Sequence, residues 1–380
     1  MDGIEIRKVE TKGDLRRFIR FPWRVYKGDK NWVPPLLLDM KDRLNRAKHP
    51  FFEHAEADYF LARRGPDIVG RIAAIIDRNH NQAHQEKTAF FGLYECFDDL
   101  EAARALIDTA AAWSAERGMN KLRGPVNLSM NDECAFLIEG FDAPPVVMMS
   151  YNPRYYLDHM DKCGLAKAKD LYAFLKGRAR SLSPKAEEFL ERLRKSDQFS
   201  FRTVTKARLQ QDALNIAAIY NAGWQKNWGF VPWTDSEMKH MAKNLAQFAD
   251  LDLVFFAEHK GRTVGFASAL PDFNQVFIKM NGRLFPFGIL KFLVGRRKIT
   301  GVRAIVFGVV PEFMHTGLAY LLYDEFEKAI IAKGYQWCEL SWQLEDNDAI
   351  NRFAASIGAN LYRKYRIYEK QITPGGVSPT

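Results

Sequence analysis

Hydrophobic and polar positions follow the same order in each half of the chain. Short alternating or β-branched apolar runs, typical of strands, alternate with segments whose apolar residues recur every three or four positions, typical of helices. In each half the predicted order is strand, helix, β-hairpin, strand, helix, strand, helix, strand. The residues themselves do not repeat, so the halves share an architecture only. The pattern predicts an α/β protein with mixed sheets (α+β in character), built from two lobes in tandem.

A change in composition places the boundary between the lobes. Residues 177–200 are strongly charged and have little apolar face, which is typical of a helical linker at the surface. We therefore expect an N-terminal lobe over 1–176 and a C-terminal lobe over 201–372, with a disordered tail over 373–380. A chain of 380 residues exceeds one ordinary core, which also favours two domains.

The segment from Arg303 to Gly334 carries the clearest functional signal. A β-branched apolar run over 304–310 predicts a buried strand, Pro311 ends it, and a helical pattern begins at Gly317. A strand, a short loop and a helix that opens with small residues direct several backbone N–H groups at one point, where the helix dipole adds positive charge. The segment therefore predicts a pyrophosphate site, although an ordinary helix start with an N-cap glycine would read the same way.

The elements around this segment resemble the GCN5-related N-acetyltransferase (GNAT) fold. In that family the acyl-CoA pyrophosphate lies on a loop of the form Arg/Gln-x-x-Gly-x-Gly/Ala, and here the window 314–319 reads MHTGLA, with methionine in place of the usual first residue. The family's second signature, an asparagine that opens the next helix, matches Asn347. The resemblance implies acyl-CoA as co-substrate. The residues expected to bind it are Val309, Val310, Met314, His315, Thr316, Gly317, Leu318, Ala319 and Asn347.

Only the second lobe is expected to bind CoA. The matching helix of the first lobe begins with Asp98 and Asp99, whose carboxylates would repel a phosphate. Tandem lobes with one degenerate site resemble the branch of long-chain acyl-CoA N-acyltransferases that includes the bacterial ceramide synthases. That resemblance covers nearly the whole chain and rests on the segments 124–133, 140–156 and 280–293.

This resemblance implies transfer of an acyl group, long-chain in that branch, to the amine of a lipidic acceptor such as a sphingoid base. Two alternatives stay open. One is an acetyl-CoA-dependent N-acetyltransferase of a small amine, and the other is a non-catalytic module that binds acyl-CoA or lipid.

Acyl transfer to an amine needs a proton acceptor and a donor to the thioester oxygen. An alkylamine with a pKa of roughly 10 is protonated at neutral pH, so a side chain must take its proton. The tyrosine that protonates the leaving thiolate in the GNAT family is replaced by Ala354. The candidates for proton transfer are Glu312, Tyr365 and Glu133, with Tyr362 and Tyr368 as alternatives to Tyr365. The candidates for substrate binding, each of which could instead be a turn or packing residue, are Asn127, Asn131, Tyr151, Trp224 and Trp228.

A second informative stretch covers residues 284–303. Leu284–Val294 is apolar and aromatic around Lys291, and four basic residues follow it up to Arg303. Such a segment can lie in the interface of an anionic membrane, roof a tunnel for an acyl chain, or cover the sheet as a buried helix. The first interpretation makes an anionic membrane surface an expected partner.

Composition excludes several other classes. No apolar stretch reaches the roughly 18–20 residues of a spanning helix, and the polar start is unlike a secretory signal peptide. The four cysteines lack CxxC spacing, and His80 and His84 have no evident third ligand, so we expect no metal and a cytoplasmic protein, with the inner membrane face as a second location. The net charge of +9 is not accompanied by a basic helix or an aromatic RNA platform, so nucleic acid is not an expected partner.

Overall fold

The chain forms two compact units. The computed structural model describes residues 3–179, 184–196, 198–245 and 250–373. The first unit contains Met1–Leu171, Phe277–Phe292 and Arg363–Thr380, and the second contains Tyr172–Val276 and Leu293–Tyr362. The bounds of these units differ from those of the expected lobes in three places. The second unit already begins at Tyr172 and includes the expected linker, whereas residues 277–292 and most of the last strand belong to the first unit. Residues 374–380 of the expected tail lie outside the described residues.

The strands and helices follow the predicted order closely. In chain order the elements up to residue 177 are β1 (Ile4–Lys8), α1 (Lys12–Arg20), α2 (Pro22–Val25), α3 (Leu37–Arg43), β2 (Ala55–Arg64), β3 (Asp67–Asp77), α4 (Arg78–His84), β4 (Thr88–Cys96), α5 (Leu100–Ala115), β5 (Lys121–Gly124), β6 (Phe136–Glu139), α6 (Tyr155–Lys162) and β7 (Ala166–Gly177). The elements after it are α7 (Pro184–Lys195), β8 (Ser200–Thr203), α8 (Leu209–Gly223), α9 (Asp235–Leu245), β9 (Val254–His259), β10 (Arg262–Pro271), α10 (Asn274–Phe277), α11 (Gly288–Gly295), β11 (Gly301–Val309), α12 (Leu318–Ala332), β12 (Trp337–Leu344), α13 (Asp348–Ser356) and β13 (Asn360–Gln371).

In the first unit, strands β1 to β5 lie side by side in chain order. All pairs are antiparallel except β4 with β5, which is parallel. Helix α5 packs on this sheet through fully buried residues such as Leu106 and Ala110. It begins at Leu100 because the Asp99 carboxylate accepts the Ala102 N–H at 3.1 Å, which satisfies one of the N–H groups that a helix start leaves without a partner.

The last strand completes the sheet of the first unit, whereas the sequence pattern predicts it as part of the second lobe. Tyr368 pairs with Gly124 of β5, and the antiparallel register continues to Gln371. The Arg366 guanidinium donates two hydrogen bonds, of 2.7 and 2.9 Å, to the Asp170 carboxylate. A one-dimensional pattern predicts that a strand forms but carries no information about which sheet it joins.

In the second unit, the strand order is β8, β9, β10, β11, β12. The pairs are antiparallel up to β11, and β11 with β12 is parallel. Helix α12 packs through its buried residues Leu318, Leu322 and Phe326 into the core that covers this sheet. The sequence pattern does not predict α9, because its apolar side is narrow. Met238 and Ala242 nevertheless pack against Ala213 and Ala217 of α8.

Candidate active site

The parallel strands β11 and β12 separate part of the way along their length. Their pairing covers Gly301–Ala304 opposite Trp337–Leu340, and β11 then continues to Val309. Beyond Ala304 the N–H and C=O groups on that edge of β11 face the opening between the two strands. An opening of this kind, next to the start of a helix, can receive an extended thioester.

Val309 and Val310 at the end of β11 are the two residues whose N–H groups could donate to a thioester oxygen, and the structure separates them. The Val310 N–H donates to the Val264 carbonyl of the neighbouring edge at 2.9 Å, so it is not available to a substrate. Because N–H directions alternate along a strand, the Val309 N–H points to the edge that β12 has left. The structure therefore narrows the expected donor for a thioester oxygen from Val309 or Val310 to Val309.

The loop between β11 and α12 has the geometry expected of a glycine-led helix start. Gly317 has φ 83°, a conformation that side chains with a Cβ rarely adopt, and α12 begins at the next residue. The Leu318 N–H contacts the Thr316 hydroxyl at 3.4 Å, and the N–H groups of Tyr320 and Leu321 both donate to the Gly317 carbonyl. Three of the first four N–H groups of α12 thus have internal acceptors, so a pyrophosphate would have to replace some of these bonds.

Helix α7 covers the glycine of this loop. A Cβ on Gly317 would lie 2.5 Å from Leu193 Cδ1 and 3.0 Å from the Phe189 ring. The Arg194 guanidinium pairs with the buried Asp324 carboxylate and lies 3.4 Å from that of Glu325, both on α12. The sequence pattern predicts this segment as a plain surface linker, and the structure shows it packed on the candidate phosphate loop.

The other residues expected to bind CoA belong to the same loop or to the start of α13. The side chains of Met314 and His315 are exposed. Asn347 caps α13, since its side-chain oxygen lies 3.4 Å from the Ile350 N–H. Ala354, which occupies the position of the family's tyrosine, is fully buried beside Tyr323 and Phe174, so no larger side chain fits there without repacking.

A buried polar cluster, which the sequence analysis does not single out, lies at the last paired residues of β11 and β12. The Glu339 carboxylate is fully buried and accepts hydrogen bonds from the Ser341 hydroxyl at 2.6 Å and from the Tyr362 phenol. Arg303 Nε donates to the Ser341 hydroxyl at 2.9 Å and lies 3.8 Å from the Glu339 carboxylate. In the sequence, the cluster is indicated only by Glu339 and Ser341, which are two positions apart and therefore lie on the same side of β12.

The three predicted proton-transfer residues lie in different surroundings. Glu312 lies in a short 3-10 helix at the surface, with 63% of its side chain exposed, and pairs with Arg262 at 2.9 Å. Tyr365 is fully buried in the first unit, opposite Leu137 of β6. Of the two alternatives, Tyr368 also lies buried in the first unit, whereas Tyr362 is half-buried in the second.

Glu133, the third residue predicted to transfer a proton, belongs to a loop of the first unit that contacts Arg43. The Arg43 guanidinium lies 3.7 Å from the Glu133 carboxylate and 3.8 Å from that of Asp132, and it donates to the Asn127 carbonyl at 3.0 Å. Burial lowers the pKa of Arg43, but these acids outweigh burial and raise the pKa above its ordinary value. The arrangement explains Glu133 as a partner of a partly buried cation.

The predicted substrate residues of the first unit also have structural partners. The Asn127 side chain accepts the Leu93 N–H at 2.8 Å, and the Asn131 N–H donates to the Ser129 hydroxyl at 3.1 Å. The Tyr151 phenol donates to Asp29 at 2.9 Å, and burial raises its pKa. These contacts account for the Asn127 and Tyr151 side chains without a ligand.

The two predicted tryptophans lie in the second unit. Trp224 stacks on Tyr220, with ring centroids 5.0 Å apart, and a Cβ on Gly308 would lie 1.9 Å from its ring. Gly308 of β11 is therefore required for the close approach of this indole. Trp228 is half-buried in the loop that follows α8. Trp224 thus lies against β11 one residue before Val309.

The first unit has no equivalent opening at its own parallel strands, within the part of the chain that the structure describes. The Val126 N–H donates to the Phe91 carbonyl at 2.8 Å, and the Leu93 N–H is taken by Asn127. A Cβ on Gly92 would lie 1.7 Å from the Val126 carbonyl, so the backbones are in direct contact there. At the start of α5, Asp99 caps the helix and pairs with Arg64 at 2.9 Å. The chain itself fills the position that a thioester and a pyrophosphate would need.

Two parallel strands that separate beside a glycine-led helix are typical of the GNAT fold, and the solved structures agree on this fold. The tandem GNAT protein from the clavulanic acid biosynthesis pathway covers 98% of this chain and 100% of its own, with a TM-score of 0.57 at 11% identity. No protein-family model matches the chain. Among the described residues, no helix is both long and apolar enough to cross a membrane.

Two relatives are similar over almost the whole chain. Protein YghO of Escherichia coli (strain K12) is 35% identical over 375 residues, which are 97% of this chain and 95% of the relative. Bacterial ceramide synthase of Caulobacter vibrioides is 35% identical over 372 residues, 96% of each. The chain therefore belongs to the family of the bacterial ceramide synthases, as predicted, and it is an acyl-CoA-dependent N-acyltransferase.

Proposed function

We propose that the protein transfers a long acyl chain from acyl-CoA to the amine of a lipidic acceptor, such as a sphingoid base, and forms an amide. The observation that carries this proposal is the 35% identity to Bacterial ceramide synthase of Caulobacter vibrioides over 96% of both chains. The opening between β11 and β12 supports it, because a thioester placed there reaches a backbone donor and a nearby aromatic surface.

In this proposal the second unit binds acyl-CoA. A backbone N–H on the open edge of β11, the edge that ends at Val309, donates to the thioester carbonyl oxygen and stabilises the charge that develops there, a contribution typically of about 3–4 kcal/mol for one such donor. The loop around Gly317 and the first turn of α12 receive the pyrophosphate. Trp224 and Trp228 line the side on which an apolar acceptor approaches, since Trp224 lies directly against Gly308.

A thiol-release assay tests the substrate class. Long-chain acyl-CoA with a sphingoid amine is compared with acetyl-CoA and a polyamine, under identical conditions and with the free thiol as the readout. We expect turnover with the first pair and little with the second. The reverse preference supports a small-amine acetyltransferase, and tight acyl-CoA binding with no turnover by any pair supports a binding module.

We also propose that residues 283–291 of the first unit contact an anionic membrane surface. Phe285 and Phe287 are each 69% exposed and Leu290 is 59% exposed, which argues against the alternative of a buried helix over the sheet. Arg283 and Lys291 belong to the same segment, and the chain continues into three basic residues over 296–298. Exposed aromatic rings beside cations suit the boundary between acyl chains and anionic headgroups.

Vesicle sedimentation tests this surface. The wild type is expected to sediment with vesicles rich in phosphatidylglycerol and much less with phosphatidylcholine vesicles. The double variant F285S/F287S should lose most of this binding, because each exposed ring contributes buried apolar area in the bilayer interface. Leu38→Ser, which removes an apolar side chain that is also exposed (53%), is the control and should bind as the wild type does. Equal sedimentation of the double variant and the wild type would contradict the proposal.

A further inference from the structure

The buried cluster of Arg303, Glu339, Ser341 and Tyr362 has the composition of a proton-transfer group. Taking a carboxylate out of water is costly unless it is paired and hydrogen-bonded, and here it has an arginine, a hydroxyl and a phenol around it. Tyr362, which carries the phenol, is half-buried, whereas Arg303 and Glu339 are 4% and 0% exposed. Of these described side chains, the Tyr362 phenol is therefore the one closest to solvent.

The pairing register of β11 places this cluster on the same face of the sheet as Trp224. Ala269 pairs with Ala304, but the next residue back, Ser268, pairs with Val306, so β11 contains one extra residue at this point. As a result Arg303 lies opposite Leu270, and Gly308 lies opposite Phe266. Leu270 and Phe266 are four residues apart on β10. Positions four apart on a strand share a face, so the cluster and the indole that lies on Gly308 face the same side.

The cluster also lies at the opening where the thioester is expected. Arg303 pairs with Glu339, and the following pair, Ala304 with Leu340, is the last before the strands separate. The open edge of β11, where the reacting carbonyl would lie, begins directly beyond this pair. An amine that approaches the carbonyl carbon there meets the Tyr362 phenol, and the buried Glu339 carboxylate lies behind that phenol.

We propose that Tyr362 and Glu339 form the proton relay of the acyl transfer, an inference that rests on the proposed function. The acceptor ammonium gives a proton to the Tyr362 oxygen while the Tyr362 phenol proton passes to the Glu339 carboxylate, which leaves a neutral amine. Its lone pair forms the C–N bond, the C–S bond breaks, and the relay returns one proton to the thiolate. The nitrogen loses its second proton to solvent, so the products are an amide, free CoA thiol and one released proton.

Arg303 and Ser341 are positioning residues in this relay. The Ser341 hydroxyl donates to Glu339 and itself accepts from Arg303 Nε, so it fixes the carboxylate rotamer. Among the described residues, Glu339 faces the charged Arg303 on β11, the titratable Tyr362 on β13 and the thiol of the neighbouring Cys338. This arrangement keeps the second oxygen of Glu339 directed at the phenol.

The test is the pH dependence of thiol release by Glu339→Gln and Tyr362→Phe with long-chain acyl-CoA and a sphingoid amine. At neutral pH we expect kcat/KM to fall about 100-fold or more, a common value for loss of a general base. The deficit should shrink as pH approaches the amine's pKa of roughly 10, since the free amine then needs no base. An acceptor analogue whose amine is already neutral at pH 7 should restore most of the rate.

Matched controls in the second unit separate chemistry from folding. Tyr335→Phe and Glu258→Gln remove the same functional groups elsewhere and should keep the wild-type pH profile; the KM for acyl-CoA should stay unchanged in the relay variants. A deficit that is constant across pH, or a wild-type rate in Glu339→Gln, overturns the relay while leaving the proposed function intact. Absence of wild-type turnover with every substrate pair overturns the proposed function, and the relay with it.

Discussion

Gly317 illustrates how one residue connects backbone geometry to the candidate phosphate site. Its φ of 83° is unfavourable by about 1–2 kcal/mol for a residue with a Cβ. A Cβ would also press on Leu193 and Phe189 of α7. The residue is therefore constrained twice, by its own conformation and by the helix that covers it.

We predict that Gly317→Ala lowers the free energy of unfolding and weakens CoA binding at least several-fold. The matched control is Gly334→Ala, because Gly334 has φ 84° but a Cβ added there would have no atom within 4 Å. Gly334→Ala should show the strain cost alone, with wild-type CoA affinity by calorimetry. Equal CoA affinity of the wild type and both variants would contradict the assignment of this loop.

At the residue scale, the roles of the predicted catalytic side chains stay predictions. Glu312 is exposed, Tyr365 is fully buried in the first unit, and Glu133 lies beside a partly buried arginine. The pattern could identify Gly317 and Asn347, because their roles depend on local backbone geometry. It could not identify Glu339, whose partners come from three different strands.

At the scale of elements, α7 is the clearest addition to the predicted picture. Its composition predicts a solvated helix, and the contacts of Phe189, Leu193 and Arg194 place it on the first turns of α12. These apolar side chains occupy the space beside Gly317 that a pyrophosphate would approach. In the proposed binding mode, CoA and α7 therefore compete for this loop.

We predict that Arg194→Ala, which removes the ion pairs of α7 with Asp324 and Glu325, increases the affinity for CoA by several-fold. Lys328 lies 2.9 Å from Asp324 and still compensates its charge, so the fold should survive. Calorimetric titration of CoA measures the effect. Arg192→Ala on the same helix is the control, since its partner Glu188 also belongs to α7. Weaker binding by Arg194→Ala would mean that α7 forms part of the site.

The elements themselves were largely predictable, and their partners were not. The hairpins, the strand before Pro311 and helices α5 and α12 follow from local periodicity. The pairing of β13 with β5 joins residues far apart in the chain, for example Tyr368 and Gly124, and nothing in either segment specifies the other. The single extra residue in β11 also cannot be recognised in a run of apolar residues. It nevertheless decides that Arg303 lies on the same face of the sheet as Gly308.

For the whole molecule, the two units share an element order but differ at the point where chemistry is expected. In the second unit, β11 and β12 separate and a glycine-led helix follows. In the first, the chain after β5 bonds into the corresponding position through Val126 and Asn127. The acidic residues at the start of α5 already predict this asymmetry, and the closed strands give a second physical reason for it.

This asymmetry predicts that the full chain binds one CoA molecule. Calorimetric titration should give a stoichiometry of one per chain, and Asp99→Ala, which alters the corresponding helix start of the first unit, should leave that affinity unchanged. Two equivalent sites per chain would be inconsistent with the closed strands of the first unit.

The proposed reaction of this chain forms an amide from long-chain acyl-CoA and a lipidic amine. The most direct measurement is mass spectrometry of the lipid products after incubation of the purified protein with isotope-labelled long-chain acyl-CoA and 3-oxosphinganine. We expect a labelled N-acyl product that accumulates together with free CoA thiol. Free thiol with labelled fatty acid and no amide, or no consumption of acyl-CoA at all, would contradict it.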